Sequence, residues 1–203
     1  MEIFKRKPSA KDILLHVNNF NFNRNNFFDK EAYLAALKLT NSFRGNDNNF
    51  QNIIIKVNFI NEAFKTAILD TQGISKFIYK IKNIDARLEN GDIKLVKEIS
   101  TCYKTNKTQK GFRDNYSFAT KYCHCHNPKL FPIYDRYVAF ALHEYNKQHK
   151  FSNFKKKDLL DYSLFKNAIN DFKNKFVCTD IDNSQLDRFL WTIGRDILQK
   201  NKI

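Results

Sequence analysis

Along most of the chain, apolar residues return every third or fourth position, the spacing of one buried helix face, and seldom alternate as a half-buried strand would. Ser9 ahead of Ala10 to Leu15 predicts an N-cap and a short helix, because its hydroxyl can satisfy an otherwise orphan amide of the first turn. That helix is expected to stop in the Asn-rich stretch 18–26, an ordered loop pinned by Phe20, Phe22 and Phe27. Asp29 is expected to cap a stronger helix, Lys30 to Phe43, with Tyr33, Leu34 and Leu37 at helical intervals. From about Asn49 to Leu69, residues such as Phe50, Ile53, Val57, Ile60, Phe64 and Ile68 keep a broad apolar face and predict the central core helix.

Further on, Gly73 is expected to break the pattern, followed by helices over Ile74–Ile81 and Ile84 to about Tyr103, the second interrupted at Asn90-Gly91. A basic, polar connector follows from Lys104 to Arg113. Tyr116–His126 is predicted as a short helix, Asn127–Tyr134 as a loop punctuated by prolines, and Asp135–Gln148 as a helix. After the basic stretch Lys147–Lys157, a helix is expected over Asp158–Phe176, and Ser184 or Asn183 is expected to cap a final one carrying Leu186, Phe189, Leu190, Ile193 and Ile197. Nothing repeats at a fixed period, and no linker is long enough to separate independent domains. The expectation is all-α: one compact multi-helix domain over residues 1–203.

Composition supports this. With 42% hydrophobic residues and 20 Phe among 203 positions, a sizeable core is available, while five Gly and three Pro are too few for the many tight turns of a sandwich or barrel. Charge changes the picture more. Thirty-five Lys and Arg against 21 Asp and Glu leave a net charge of +14, a field that draws polyanions, nucleic acid foremost and an anionic membrane surface second. A Lys- and Asn-rich genome bias would supply Glu as freely, so it does not explain the imbalance. No apolar run approaches the length of a membrane span, the run Ile53–Ile55 being broken at once by Lys56 and Asn58, and no apolar stretch follows the basic start Lys5-Arg6-Lys7. A cytoplasmic protein is expected, with Cys102, Cys123, Cys125 and Cys178 reduced.

The segment from Asn115 to Val138 carries the candidate chemistry. A helix ends, a two-proline loop crosses, and Asp135 arrives where the next helix begins. Asp135 is either a plain N-cap or a rigidly held carboxylate beside a basic surface, able to stabilise positive charge or activate a water. Tyr134 and Tyr137 flank it and either line a base pocket or pack between helices. Lys104, Lys107, Lys110 and Arg113 recur every three residues and, with Arg136, are candidate contacts to a DNA backbone, a solvated loop being the plainer reading of the run. Cys123-His124-Cys125-His126 invites a metal, but adjacent helical residues point about 100° apart and cannot converge on one ion, so no metal and no cofactor are expected. Trp191 is expected in the core among Phe189, Leu190 and Ile193.

Two stretches carry a resemblance. The pattern Ser117-Phe118-Ala119-x-Lys121, a short His-containing helix end, then Asn127-Pro128-x-x-Phe131-Pro132-Ile133-Tyr134-Asp135, resembles small members of the helix-hairpin-helix DNA glycosylase superfamily related to 8-oxoguanine glycosylases. Leu186-Asp187-Arg188-Phe189-Leu190-Trp191-Thr192-Ile193-Gly194 is similar to the closing helix of those proteins. The resemblance implies a helical fold whose basic hairpin grips the phosphate backbone, with Asp135 as the essential carboxylate and the target base flipped out of the duplex. It implies either water as nucleophile, the preferred reading, or a lysine amine, for which Lys121 is the candidate. With water as nucleophile, Lys121 is a phosphate contact or a snorkelling surface lysine. Tyr116 falls nearer the family's lysine position and is placed with the substrate-binding residues. The connector holds a single glycine, Gly111, where the family's hairpin is glycine-rich.

The function expected from this resemblance is monofunctional excision of a damaged or modified base from double-stranded DNA by a monomeric enzyme, in repair or in defence against phage. A non-catalytic DNA-binding helical module, or an RNA-directed or toxin-like protein, would share the charge and fold without the chemistry.

Overall fold

The computed structural model describes residues 2–22, 27–45, 49–101, 107–108, 111–112 and 115–200. Among them are ten α-helices and one two-stranded hairpin, so the helical class holds. No helix among the described residues is long and apolar enough to cross a membrane. Packing divides the chain into two compact units: unit A, residues 25–131, and unit B, residues 1–24 with 132–203. The charge excess is shared almost evenly, with 17 Lys and Arg against 10 Asp and Glu in unit A and 18 against 11 in unit B.

Unit A holds α2 (Phe27–Ser42), α3 (Phe50–Ala63), α4 (Thr71–Tyr79), α5 (Ile84–Glu89), α6 (Lys94–Thr101), the hairpin β1–β2 (Lys107–Thr108 with Gly111–Phe112) and α7 (Tyr116–His126). Every residue of α7 except Ser117 is buried, and the helix is surrounded by α2, α3, α5 and α6. The central element is therefore α7, rather than α3 as its periodicity predicted. Asn49 caps α3, its side chain accepting the Gln51 and Asn52 amides, but the helix stops at Ala63 instead of Leu69 because Lys65 and Ala67 take left-handed backbone angles. Gly73 does not break a helix: its amide is capped by the Asp70 carboxylate inside the first turn of α4. The interruption at Asn90-Gly91 separates α5 from α6 as expected. Gly91 has φ +69°, and a Cβ there would press on Leu130.

Unit B holds α1 (Ala10–Phe22), α8 (Arg136–His149), α9 (Tyr162–Lys175), α10 (Asn183–Lys200) and two short 3-10 segments at Glu2–Phe4 and Lys156–Leu160. Ser9 and Asp12 form a reciprocal cap at the start of α1: the Ser9 hydroxyl accepts the Asp12 amide while the Asp12 carboxylate accepts the Ser9 amide. The helix then runs through the Asn-rich stretch to Phe22, because Ile13, Val17 and Phe20 form a continuous buried stripe that outweighs the modest helix propensity of Asn. Residues 23–26, and the side chains of Phe22 and Phe27, lie outside the described residues, and α2 begins at Phe27 with Asp29 in its first turn rather than as its cap. The α9 helix starts later than predicted, at Tyr162 with Asp161 as cap, after the 3-10 turn. At α10 the cap is Asp182, which accepts the Gln185 amide while the Gln185 side chain accepts the Asp182 amide.

Tyr145 anchors the unit B core, with Phe4, Phe172, Phe176 and Phe189 packed about its ring at centroid distances of 5.0–6.3 Å. The α8 and α10 helices pack tightly at Gly194, where a Cβ would overlap the Tyr137 carbonyl oxygen.

Candidate functional site

The loop between α7 and α8 is fastened at both ends. In unit A, the Asn127 side chain donates to the Leu88 and Glu89 carbonyls, and the Leu130 and Phe131 amides return to the Asn127 carbonyl. The fully buried His124 ring bonds the Phe131 carbonyl through Nδ1 at 2.7 Å, which leaves Nε2 to accept the Tyr33 hydroxyl at 2.9 Å. On the unit B side, the Tyr162 hydroxyl donates to the Pro132 carbonyl at 2.9 Å and the Tyr134 ring meets Phe165 edge-on at 5.5 Å. Two prolines with these bonds leave the backbone little freedom as it delivers Asp135.

Asp135 has extended backbone angles and its Oδ1 accepts the Tyr137 amide at 2.9 Å, so it is the N-cap of α8. The cap reading is thus correct, and it also places a half-buried carboxylate at the positive end of a helix. Burial raises the Tyr134 phenol above its ordinary value, with the Asp135 carboxylate as second cause. Tyr134 therefore stays a hydrogen-bond donor close enough to Asp135 to feel its charge. Arg136 is exposed and lies over the Tyr137 ring, guanidinium carbon to centroid 4.6 Å, donating to the Tyr137 hydroxyl at 2.6 Å. Tyr137 in turn meets Trp191 edge-on at 5.8 Å. Trp191 is half-buried, a correction to the core position its apolar neighbours predicted, and Arg195 lies over its ring at 4.6 Å.

Lys121 belongs to unit A, whereas Tyr134, Asp135, Arg136 and Tyr137 belong to unit B. Lys121 is 5% exposed, its Nζ donating to the Ser117 hydroxyl at 2.9 Å and standing 5.7 Å from the Phe64 ring centroid. The surface-lysine alternative for it is therefore incorrect. Tyr116 is buried at the start of α7. Lys104, Lys110, Arg113 and Cys102 lie outside the described residues; Lys107 opens β1 opposite Phe112, its side chain not among those described. The basic connector, a hairpin by the resemblance and a solvated loop by the plainer reading, thus contains a short antiparallel pair.

The Cys-His run is buried throughout. Burial pushes the Cys123 and Cys125 thiols up, which keeps them protonated, and among the described residues no group of three or more His, Cys, Asp or Glu is placed to hold a metal ion. His126 donates through Nδ1 to the Tyr122 carbonyl at 2.8 Å and presents Nε2 to Lys56 Nζ at 3.2 Å. Its pKa is pushed down to about 3, by burial first and by the neighbouring Lys56 charge second. Lys56, fully buried on α3, is pushed down to about 8 by the same burial, against the opposing pull of Asp85. Arg44 donates to the His126 carbonyl at 2.9 Å, so two cations gather at the C-terminal end of α7. Neither was found from the sequence; a lysine at a position that the Ile53, Val57, Ile60 register turns inward was the available signal for Lys56.

Residues 9–130 match the HI_0787_N family, described as an N-terminal domain; the match stops one residue before unit A does. The chain is also 38% identical over 177 residues to a protein of Haemophilus influenzae described as uncharacterized, covering 86% of this chain and 83% of that one. No solved structure matches. Through that family match and this similarity, the chain belongs to the HI_0787_N family.

Proposed function

We propose that the protein is a DNA glycosylase that flips a damaged or modified base out of the duplex and breaks its N-glycosidic bond, with Asp135 as the essential carboxylate. The observation that carries this reading is Asp135 itself: a carboxylate fixed at a helix start by a loop bonded at both ends, flanked by Tyr134 and by the Arg136–Tyr137 stack. The helix-hairpin-helix resemblance and the net charge of +14 support it. In the reaction, the bond from C1′ to the base nitrogen breaks, the base leaves with the electron pair and takes up a proton, and a water oxygen bonds to C1′. Asp135 would stabilise the oxocarbenium-like sugar between those events and accept the proton of the attacking water. Repair and phage defence are both settings for such an activity.

The test is base release from duplexes bearing oxidised, alkylated, deaminated or phage-type modified bases, assayed with and without alkaline cleavage. Asp135→Asn is the informative variant, because Asn caps a helix nearly as well as Asp yet carries no charge. Release seen only after alkali, and reduced at least ~100-fold in Asp135→Asn, is the expected result. Product without alkali, abolished by Lys121→Gln, would transfer the nucleophile's role to Lys121. Salt-sensitive DNA binding with no release from any duplex would leave a non-catalytic binding module.

A further inference from the structure

We infer that Trp191, Arg195, Tyr137 and Arg136 form a contact surface for an unstacked nucleobase and its adjoining phosphate. The four residues come from α8 and α10 of unit B. Two guanidinium groups each lie 4.6 Å from an aromatic centroid, Arg136 over Tyr137 and Arg195 over Trp191, and the two rings meet edge to face at 5.8 Å and 88°. Phe20 of α1 also meets the indole edge to face, at 6.3 Å. Gly194 makes the arrangement possible: without a Cβ, α10 approaches the Tyr137 carbonyl closely enough to bring Trp191 beside the Tyr137 ring.

An arginine already flattened on a ring has given up much of the side-chain freedom that binding would otherwise cost. Its plane suits the face of a base, and its in-plane N–H groups suit a phosphate. Arg195, its side chain 19% exposed, also pairs with Asp196 at 3.0 Å, a carboxylate that is 47% exposed and that an incoming phosphate can displace. Arg136 is exposed, and unit B carries 18 Lys and Arg against 11 Asp and Glu. Charge alone would attract any polyanion. Ring-backed guanidinium planes add a preference for a ligand with flat faces, and double-stranded DNA hides those faces within its stack. This deepens the preceding reading, resting on its nucleic-acid partner but not on excision of the base.

Trp191 is the only tryptophan in the chain, so its emission reports on this surface alone. The full-length protein is titrated with short single strands of DNA and of RNA, with the matching DNA duplex, and with polyglutamate, while a labelled strand gives the affinity by anisotropy. Single strands are expected to quench Trp191 and to bind more weakly by roughly tenfold in Arg195→Gln or Arg136→Gln, with the thermal midpoint unchanged for the substitution at the exposed Arg136. Comparison of the DNA and RNA arms identifies which sugar the surface takes. Binding without any change in Trp191 emission, equal quenching by polyglutamate, wild-type affinity in both variants, or no binding at all would each overturn the inference. Base release with Trp191 unmoved would do so while leaving the glycosylase reading intact, and quenching without base release would do the reverse.

Discussion

Replacing Lys56 with Met should change how stability depends on pH in a way that isolates one buried charge. The lysine is fully buried with a pKa of about 8, against 10.5 for the ordinary group. Between those values the unfolded chain holds a proton at this position that the folded chain has released, so stability rises with pH across the window. Integrated from pH 7 to 9.5, the rise is about 2 kcal/mol, out of a total near 3 kcal/mol for the whole shift. Other groups act in the opposite direction: Cys123 and Cys125 are raised by burial, and once pH exceeds their ordinary value of 9.0 the unfolded thiols lose protons that the folded ones keep. The wild-type curve therefore does not show the lysine's contribution directly, but the difference between wild type and Lys56→Met cancels the cysteines. Urea unfolding followed by far-ultraviolet circular dichroism at half-unit pH steps supplies that difference. Wild type should gain about 2 kcal/mol on the variant between pH 7 and 9.5. At pH 7 the variant's absolute stability combines relief of a buried charge with loss of the donor to His126 Nε2, two effects of opposite sign. Parallel curves for the two proteins would refute the argument.

Three further outcomes follow from the backbone and the caps. Gly194→Ala should destabilise unit B by about 2–3 kcal/mol, because the new methyl group must displace the Tyr137 carbonyl; a thermal midpoint within error of wild type would show that α8 and α10 can move apart without cost. Val177 has φ +51° and is 81% exposed, a β-branched residue in a left-handed turn with little of its side chain packed; Val177→Gly should stabilise by about 1 kcal/mol in denaturant titration. Ser9→Ala should cost about 1 kcal/mol through loss of the α1 cap, and Ser9→Asp should recover most of it.

How much of this was legible in the sequence depended on how local the deciding interaction was. The bounds of α7 and the cap of α8 were readable because Tyr116–His126 ends at an Asn-Pro dipeptide and Asp135 bonds an amide two residues ahead. Gly73 was misread because a helix-breaking residue is harmless in a first turn that Asp70 caps. The Asn-rich end of α1 was misread because its stability comes from packing on α10, more than 160 residues away in the chain. Lys56 looked like an interruption of an apolar run, since its partner His126 lies 70 residues on. Trp191 has the periodicity of a core residue, and only the placement of Arg195 and Tyr137 shows it at a surface. Asp135 as a helix cap was legible in the sequence, while the Arg136–Tyr137 stack that follows it needed the fold.

The chain order of unit B has a bearing on synthesis. Unit A is one continuous stretch, so when its last residue, Phe131, is added to the growing chain, 72 of the 96 residues of unit B remain to be made. The α1 helix, by contrast, packs on α10, the last helix of the described chain. At elongation rates of roughly 5–20 residues per second, the Ile13, Val17 and Phe20 stripe waits on the order of ten to thirty seconds for that partner. During this interval it is an apolar strip on a nascent chain, open to chaperone capture, and the two-proline loop around Phe131 marks the point in translation where the completed half passes to the unfinished one.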